Sequence, residues 1–438
     1  MISVWSDNTQ LPRFPSLHGS TKTDVLVIGG GLAGILTAYM LKISGIDCIL
    51  AEANTICSGI TKNTTAKITA QHGAVYGKLI RQFGEEKAKM YLDANCTAVE
   101  KYRILCRDID CSFEDMDSFV YSTESRKKLE DEADALRRLG MMSDITESHD
   151  LPFENFGALK MPHQAQFDPL RFVSAIAKEL NILEHTFIRE VRDNTAISDK
   201  GTIRAKSVVV ATHFPFINKH GSYFLKMYQQ RSYVTALENA PSIGGMYVDE
   251  AQKGPSLRNY GGLLLVGGGG HRTGKKGGAW HELESFSQKY YPEASEKYRW
   301  ATQDCITLDN VPYIGQYSAS TQNLYVATGF NKWGMTSSMV SAMILRDMLI
   351  GRDNPYREVF SPSRTMLRRQ LPINAFESAI NLLTPTAPRC PHLGCALKWN
   401  KNEHSWDCPC HGSRFTAEGK LIDNPSTGDM TKTGTPDN

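Results

Sequence analysis

Residues 24–52 read DVLVIGGGLAGILTAYMLKISGIDCILAE, and this stretch predicts the fold of the N-terminal part of the chain. An apolar strand runs into a glycine-rich turn, an apolar helix follows, and a second strand ends at Glu52. A strand, a helix and a strand in this order form one βαβ unit of a parallel sheet. The window is nearly long enough to span a membrane, but its adjacent glycines and charged flanks favour the βαβ unit.

The turn has the spacing G-x-G-x-x-G at Gly29, Gly31 and Gly34. In such a turn the first glycine permits the tight bend, and the second lets the backbone approach a pyrophosphate. The third lets the helix pack closely on the strand. The helix N-terminus attracts phosphates, and Glu52 is placed to accept hydrogen bonds from a ribose. The pattern predicts a dinucleotide site and does not choose between NAD and FAD.

The rest of the chain indicates a discontinuous α/β domain. Amphipathic helices are expected over residues 84–107 and 124–139. Residues 223–304 change character and are typical of a separate antiparallel sheet. The chain then returns to a buried strand, NLYVATGF (323–330), and to a helix that ends at Gly351.

The composition is that of a globular protein, with 438 residues of which 41% are hydrophobic and 22% charged. The net charge of +2 gives no indication of a nucleic acid partner or an anionic membrane. No basic region followed by a long apolar run begins the sequence, so the cytoplasm is the expected compartment. There, most of the ten cysteines should be reduced thiols or metal ligands.

A likeness to a known family begins in the loop after Glu52, ICSGITKNTTAKITAQHG (56–73), which is rich in small polar residues. It continues through HTFIREV (185–191), VVVATH (208–213), TLDNVPYIG (307–315) and NLYVATGFNKWGMT (323–336). These segments resemble the glycine oxidase, sarcosine oxidase and D-amino-acid oxidase family of FAD enzymes. The resemblance covers residues 24 to about 350 and implies that the dinucleotide is FAD.

The glycine turn and the resemblance together imply one set of FAD-binding residues. They are Gly29, Gly31, Gly34, Glu52, Ser58, Gly59, Thr65, Ala66, Lys67, Ile188, Ala211, Thr212, Gly329, Gly334 and Met335. His213 departs from the family, which usually has a glycine there. A helix that begins near Met335 would point its positive end at the flavin pyrimidine, which is negative when reduced.

A second motif lies in CPHLGCALKWNKNEHSWDCPCH, residues 390–411. C-x-H followed by C-x-x-H is the ligand set of a Rieske [2Fe-2S] centre, in which two thiolates hold one iron and two imidazoles the other. The candidate ligands are Cys390, His392, Cys408 and His411. A structural zinc site is an alternative, but zinc gives no reason for the two further cysteines. A disulfide pair without metal is another.

The same segment resembles the electron-transfer Rieske proteins of cytochrome bc complexes, which carry a disulfide at equivalent positions. The resemblance implies a Cys395–Cys410 disulfide, while His404 is expected to be solvated. Few residues precede Cys390, so the domain is expected to be reduced to its cluster-binding part. It would then need the flavin domain or a second subunit to cover its cluster.

The expected fold class is α/β: an FAD-binding Rossmann-like domain of the glutathione-reductase type, an inserted antiparallel-sheet substrate domain, and a small all-β Rieske domain. The oxidoreductase is expected over residues 1–355, with the substrate sheet mainly within 220–305. Residues 356–385 are expected to be a linker, and residues 386–438 the reduced Rieske domain.

The whole architecture resembles FAD-dependent oxidoreductases of the amine-oxidase kind that carry a C-terminal Rieske domain. The resemblance implies that a small amine or amino-acid-like substrate gives a hydride to FAD. Electrons would then pass singly through the cluster to an external acceptor, which could be a protein. Candidate catalytic residues in the inserted sheet are Arg258 to clamp a carboxylate, His271 to take a proton, and Tyr260. Each of these residues also has a non-catalytic interpretation: Arg258 could form a surface ion pair, and His271 could be a loop residue or a flavin contact.

The main alternative is an NAD(P)H-linked flavin and iron–sulfur reductase or electron-transfer component. It would need a second dinucleotide turn, but GGGGHRTG (267–274) is not followed by an apolar helix. A Rieske oxygenase would need a mononuclear iron on two histidines and a carboxylate, and no persuasive histidine pair exists outside the cluster. A redox sensor without turnover is a third possibility. A homo-oligomer is compatible with all of these.

Overall fold

Three β-sheets organise the chain in the computed structural model, which describes residues 2–148, 150–384 and 388–430. The first two sheets and their helices form the flavin part, and the third sheet forms the C-terminal unit. Residues 386–387 and 431–438 of the expected Rieske domain lie outside the described residues.

Short strands and the helices that connect them make up the described part of the chain. The strands are β1 (Gly19–Ile28), β2 (Cys48–Ala51), β3 (Lys67–Ile68), β4 (Glu114–Tyr121), β5 (Asp144–Thr146), β6 (Ala158–Gln166), β7 (Ile182–Leu183), β8 (Ile188–Arg192), β9 (Thr195–Ser198), β10 (Gly201–Val210), β11 (Met227–Glu238), β12 (Met246–Asp249), β13 (Ser256–Tyr260), β14 (Leu263–Arg272), β15 (Ser295–Thr307), β16 (Tyr313–Gln316), β17 (Leu324–Thr328), β18 (Lys398–Asn400), β19 (Ser405–Asp407), β20 (Arg414–Thr416) and β21 (Leu421–Asp423). The helices are α1 (Val4–Asn8), α2 (Leu32–Ile43), α3 (Tyr76–Phe83), α4 (Glu85–Cys106), α5 (Arg126–Arg138), α6 (Pro169–Ala177), α7 (Tyr223–Lys226), α8 (Ala279–Tyr290), α9 (Gly334–Leu349), α10 (Arg357–Phe360) and α11 (Gln370–Leu383).

The first sheet has the order β16-β17-β10-β1-β2-β7, and the β8–β9 hairpin joins it at β10. Its strands run parallel except for the hairpin and for β16, which is antiparallel to β17. In β1, Val25 and Val27 pack into one hydrophobic core while Leu26 and Ile28 pack into another. Both faces of the sheet are therefore covered, which explains the unbroken apolar run. The predicted βαβ unit is confirmed as β1, α2 and β2.

Close contact between α2 and β1 depends on the glycine turn. Gly29 has a φ of 113°, a conformation that residues with a side chain rarely adopt. A Cβ added at Gly34 would lie only 1.9 Å from the carbonyl oxygen of Gly29. The two glycines thus have the bending and packing roles that the motif predicts.

The second sheet has the order β15-β11-β14-β13-β12-β4-β6-β3, with β5 paired to β6. Its neighbours are antiparallel except β12 and β4, which confirms the predicted antiparallel sheet. The sheet is larger than expected, because β3 to β6 precede residue 220 and also join it. These strands pair with partners far away in the sequence, and such pairing leaves no local signal.

The third sheet, β18-β19-β20-β21, is antiparallel throughout and forms the predicted all-β C-terminal unit. The segment expected as a linker contains α10 and α11. Helix α11 packs on the flavin part through Asn374, whose Nδ2 donates to the carbonyl of Leu225 at 3.3 Å. Its apolar residues Ile373 and Phe376 are exposed. Because α11 packs through polar side chains, a search for an apolar face does not find it.

We expect Gly34→Ala to lower the free energy of unfolding by about 1–3 kcal/mol, the usual cost of overpacking. The added methyl group would force α2 away from β1, because the Gly29 oxygen occupies its place. Chemical denaturation of the purified protein measures the change. Gly428→Ala is the control, since a Cβ there would meet nothing within 4 Å. Equal stability of the two variants would contradict the close contact.

Candidate functional site

The glycine turn and the N-terminus of α2 form one wall of a cavity between the first two sheets. Its volume is about 1160 Å³, above the roughly 300–1,000 Å³ of most ligand pockets. Gly31 caps α2 without a side chain, so the first turn of the helix meets the cavity directly. Glu52 Oε2 accepts a hydrogen bond from Gly30 N at 2.7 Å at the end of β2. This wall offers the backbone and the acid that a dinucleotide requires.

Most residues predicted to hold the cofactor line this cavity. Those that do are Gly29, Gly31, Glu52, Ser58, Gly59, Thr65, Lys67, Ile188, Ala211, Thr212, Gly334 and Met335. Gly34, Ala66 and Gly329 do not. Gly329 is a packing position, because an added Cβ would lie 2.3 Å from Thr307, and Ala66 is fully buried. The structure therefore brings twelve of the fifteen residues to one cavity.

The N-terminus of α9 forms another part of the wall. The helix begins at Gly334, as predicted for a helix near Met335, and its first turn lines the cavity. Trp333 also lines the cavity, and its ring stacks on the buried His72 with 4.7 Å between ring centroids. His72 Nδ1 lies 2.6 Å from Tyr91 Oη, which holds the imidazole in place. The sequence did not single out His72, because only the folded chain brings it to Trp333.

Two opposite charges that attract each other face the cavity. Asp304 in β15 and Lys332 before α9 both line it, and neither side chain makes a hydrogen bond or an ion pair with any described residue. Burial raises the pKa of Asp304 to about 6 and lowers the pKa of Lys332. Asn331 and Lys332 have φ values of 52° and 72°. Left-handed backbone at residues other than glycine is concentrated at functional sites.

Lys67 is a further cation in the cavity wall. Its Nζ donates to Thr65 Oγ1 at 3.2 Å and to Ser256 Oγ at 3.3 Å. Burial, together with the nearby Arg258, lowers the pKa of Lys67 to about 7. A large share of this amine is therefore neutral at neutral pH and able to accept a proton.

The three predicted catalytic residues do not line the cavity. Arg258 is fully buried, and its Nη1 donates to the carbonyls of Thr65 and Ala66 at 2.8 Å each. Tyr260 donates its hydroxyl hydrogen to Asp168 at 2.9 Å. The guanidinium thus holds the loop that forms the cavity wall, while its Nη2 has no hydrogen-bond partner among the described residues, and the carboxylate clamp stays a prediction.

His271 lies behind the wall as well. Its ring stacks on Tyr233 with 5.7 Å between centroids, and its Nδ1 lies 3.4 Å from the carbonyl oxygen of Gly269. Burial lowers the pKa of His271. Its neighbour Gly270 lines the cavity, but the imidazole does not. The His271 ring thus packs on Tyr233 outside the cavity, and its role in proton transfer stays a prediction.

The four predicted cluster ligands lie on two loops of the C-terminal unit. Cys390 and His392 precede β18, while Cys408 and His411 connect β19 to β20. The Nδ1 atoms of the two histidines are 3.3 Å apart. The two cysteines carry free thiols that contact each other and are almost completely buried. The two loops therefore bring the two sulfur donors together and the two nitrogen donors together.

This donor set fits a Rieske centre. Burial lowers the pKa of His392 to about 4 and that of His411 to about 3, so both imidazoles are neutral, as metal ligation requires. Cys395 and Cys410 form the expected disulfide between the loops. The sulfur atoms of Cys395, Cys408 and Cys410 also lie within 4.8 Å of one another. The disulfide leaves only Cys408 of these three free to bind metal.

The histidine side of the centre packs against the flavin part of the same chain. The Phe214 ring lies 6.5 Å from the His392 ring and 6.4 Å from the His411 ring. His392 Nε2 lies 2.9 Å from Asn218 Oδ1, a distance at which the imidazole donates to the amide oxygen. On another side of the same loop Leu393 remains 39% exposed. The flavin part therefore covers the histidine edge of the reduced domain without a second subunit.

Strands β11 and β15 separate the two sites. Gln229 and Gln303 donate to backbone carbonyls of the second ligand loop at 2.7 and 2.9 Å. The next residues along the two strands, Gln230 and Asp304, line the cavity. Successive side chains of a strand point to opposite faces, so the thickness of one strand layer separates the cavity from the ligand loop.

A buried ion network holds the C-terminal unit in place. Glu403 pairs with Arg231 of β11 and with Arg414 of β20, and its side chain is only 4% exposed. The hydroxyl of Tyr233 donates to Glu403 at 3.0 Å. Arg414 Nε also pairs with Asp407 at 3.0 Å. One carboxylate thus joins a strand of the second sheet to the iron–sulfur unit.

The residues of this interface were not found from the sequence. Asn218, Gln229, Gln303 and Glu403 each act through a partner more than a hundred residues away. The available signal was weak: Gln229 and Gln303 are polar residues inside strands that are otherwise well buried. Such positions require a buried polar partner, but the sequence does not say which.

The fold and the two sites define a flavoprotein oxidoreductase with a C-terminal Rieske iron–sulfur domain. Residues 24–348 match the family described as "FAD dependent oxidoreductase", and residues 379–433 match the "Rieske [2Fe-2S] domain". The chain belongs to this DAO family of FAD-dependent oxidoreductases and carries a Rieske domain in addition.

Known relatives agree with this assignment. The Rieske 2Fe-2S iron-sulfur protein YhfW of Bacillus subtilis is 34% identical over 489 aligned residues, covering 97% of this chain and 96% of that protein. Glycine oxidase from Geobacillus kaustophilus superposes with a TM-score of 0.66 at 18% identity, covering 79% of this chain and 99% of the oxidase. L-proline dehydrogenase from P. horikoshii also reaches 0.66 at 18% identity, covering 80% and 98%. These two structures share the fold.

FAD and a Rieske [2Fe-2S] cluster are accordingly the cofactors, as predicted. The first turn of α2, which begins at a glycine cap and faces the cavity, and the paired sulfur and nitrogen donors fit these groups. Over the residues that the structure describes, no helix combines the length and the apolar character needed to cross a bilayer.

We expect Glu403→Gln to lower the free energy of unfolding at pH 7 by about 3–5 kcal/mol, because it leaves two buried arginines without their shared carboxylate. Burial raises the pKa of Glu403, but Arg231 and Arg414 more than offset this, and the net pKa is below 4.5. The carboxylate therefore stabilises the protein above pH 4.5 and loses this effect as the pH falls through its lowered pKa. Denaturation curves of both proteins from pH 7 to pH 3.5 should converge at the acid end.

The matched control is Glu130→Gln on α5. Glu130 is 48% exposed and forms only a helical surface pair with Arg126. Its loss should cost at most about 0.5 kcal/mol. Equal effects of the two substitutions would show that Glu403 does not anchor the C-terminal unit.

Proposed function

We propose that this protein oxidises a small amine or amino-acid-like substrate by hydride transfer to FAD. Electrons would then pass singly through the Rieske cluster to an external acceptor. The observation that carries the proposal is the pair of opposite charges, Asp304 and Lys332, in the wall of the cofactor cavity. They attract each other, and a zwitterion, with an ammonium and a carboxylate on one carbon, would set an opposite charge against each of them.

The bound FAD supplies the two-electron chemistry, and the chain supplies binding and orientation. Lys332 Nζ would donate to the substrate carboxylate, and Asp304 would accept from the ammonium. The two contacts together would fix the position of the substrate carbon from which the hydride leaves. Two structural neighbours, glycine oxidase and L-proline dehydrogenase, are named for activities on amino acids, which supports this substrate class.

Lys67 is the residue best suited to remove a proton from the substrate. An amine must lose its ammonium proton before its carbon can lose a hydride, because the nitrogen lone pair assists that step. With a pKa lowered to about 7, Lys67 can accept this proton near neutral pH. Ser256 Oγ and Thr65 Oγ1 would hold its Nζ at the cavity wall.

The proposal assigns FAD to the residues that the sequence predicted and that line the cavity. Gly29, Gly31 and the first turn of α2 would hold the pyrophosphate, and Glu52 the ribose. The first turn of α9 would stabilise negative charge on the reduced ring. Cys390 and Cys408 would hold one iron of the cluster, with His392 and His411 on the other. The expected boundaries 1–355, 356–385 and 386–438 are kept for the oxidoreductase, the connecting segment and the Rieske domain.

We expect Lys332→Met to lower kcat/KM for an α-amino acid by about 10- to 150-fold, equivalent to the 1.5–3 kcal/mol of a hydrogen bond to a charged group. The corresponding amine without a carboxylate should react at the same rate with both proteins. The measurement is an anaerobic screen of amine and amino acid pairs for bleaching of the flavin absorbance, followed by steady-state kinetics.

Asp304→Asn is the complementary variant. It removes the contact to the ammonium, so it should lower kcat/KM for amines and for amino acids alike. Rapid bleaching by NADPH alone, with no response to any amine, would instead favour the reductase. A parallel loss of amine and amino acid activity in Lys332→Met would contradict the carboxylate contact.

We expect the His411→Ala protein to lose its iron and to stop transferring electrons to a one-electron dye, while substrate still bleaches its flavin. The reason is that the second iron keeps only one imidazole. His404→Ala is the matched control in the same unit, since His404 is exposed and lies outside the donor set. Iron analysis, visible absorbance and dye reduction measure the outcome. Undiminished dye reduction in an iron-free His411→Ala protein would remove the cluster from the electron path.

A further inference from the structure

Residues 212–218 connect the cofactor cavity to the cluster ligands, and we call them the bridging segment. Thr212, His213 and Phe216 line the cavity. Phe214 and Asn218 contact the rings of the histidine ligands. One stretch of chain therefore has the cavity on one side and the iron–sulfur site on the other.

The cavity side of the bridging segment is held firmly. It follows the carboxyl end of β10, where ligands bind in open parallel sheets. The carbonyl of His213 accepts from Thr328 Oγ1 and, at 3.5 Å, from Cys305 Sγ. His213 has a φ of 67°, although the related family usually has a glycine there. Burial lowers the pKa of His213, and its Nε2 has no partner among the described residues.

The cluster side is held by contacts from the C-terminal unit. Asn424 Nδ2 donates to the carbonyls of Thr212 and Phe214, the latter at 2.8 Å. The fully buried ring of Phe214 meets both histidine rings edge to face. The Asn218 oxygen lies 2.9 Å from His392 Nε2 and fixes the direction of that ring.

We propose that the bridging segment is the route by which electrons pass between FAD and the cluster, with Asn218 as the residue that positions His392 for this transfer. The proposal rests on the proposed function, because it requires electrons to move between the two cofactors. Reduced FAD returns to its oxidised form by losing two electrons and two protons. Each electron reduces one Fe(III) of the cluster to Fe(II) and leaves to a one-electron acceptor before the next arrives, while the protons pass to water.

The other contacts between the two parts do not link the cavity to the rings: Phe224 lies 6.1 Å from the His411 ring between ring centroids, but it does not line the cavity. Gln229 and Gln303 also join the flavin part to the second ligand loop, but they bind backbone carbonyls and not the imidazole rings. The ion network around Glu403 joins the two parts through Arg231 and Arg414 and makes no contact with the histidine rings. Residues 421–424 and 426–429 of the C-terminal unit also line the cavity, but among the described residues it is the bridging segment that both lines the cavity and places a ring against both histidine ligands.

The test is flash photoreduction of the full-length holoprotein without substrate. Photoreduced 5-deazariboflavin delivers one electron to the protein, and the absorbance of FAD and of the cluster then shows how the electron redistributes. Transfer inside the protein appears as a phase whose rate does not depend on protein concentration. We expect Asn218→Ala to slow this phase about tenfold or more, the usual effect of losing an outer partner of a metal-bound histidine.

Asn218→Asp should restore most of the rate, because it keeps an acceptor oxygen for His392. Phe214→Leu should also slow the phase, whereas Phe172→Leu should not. Phe172 is equally buried but packs on Tyr102 and Phe167, away from both sites. Iron content and the electron paramagnetic resonance spectrum of the reduced cluster establish that each variant carries its cluster.

Fully loaded Asn218→Ala and Phe214→Leu proteins with the wild-type rate would overturn the proposed route. If Asn218→Ala alone loses iron, the rate in Phe214→Leu decides. Absence of the internal phase in the wild-type protein would be a different result, because it would contradict electron passage between the cofactors and thus the proposed function itself.

Discussion

The C-terminal unit cannot bury its metal site alone, and this constraint shapes the whole molecule. Four of the six buried residues in its hydrophobic core, as far as the structure describes it, are cysteines; Leu397 and Phe415 are the other two, and the partly buried Trp406, Leu421 and Met430 pack against them. Units this small rarely form stable cores without metals, disulfides or a partner surface. Here the partner surface is the flavin part, which contributes Arg231 to a buried ion network and Asn218 to the histidine edge. The contacts that hold the C-terminal unit in place therefore also support the ligand loops.

The same constraint explains why the two sites are so close. On strand β11, Gln229 donates a hydrogen bond to a backbone carbonyl of the ligand loop, while the next residue, Gln230, faces the cavity. The alternation of side chains along a strand makes this possible without any insertion. The antiparallel sheet thus faces the flavin cavity on one side and binds the C-terminal unit on the other. The electron carriers then lie on two sides of one layer of the protein.

Local patterns in the sequence predicted the parts of this structure that depend on local spacing. The unit of β1, α2 and β2, the start of α9 and the four convergent ligands all follow from short motifs, and the structure has them. The strands β3 to β6 and the charges Asp304 and Lys332 were missed, because long-range pairing alone brings them together. Arg258 was expected in the substrate site, but its partners are backbone carbonyls, which a sequence does not distinguish from a ligand.

The exposed Leu393 marks the side of the ligand loop that the flavin part leaves uncovered. Because the unit is anchored through buried charges, it cannot swing between a donor and an acceptor as a tethered carrier would. In the proposed electron path, an external acceptor would therefore have to diffuse to this fixed surface. The frequency of such encounters would then limit the rate at which the reduced flavin is reoxidised.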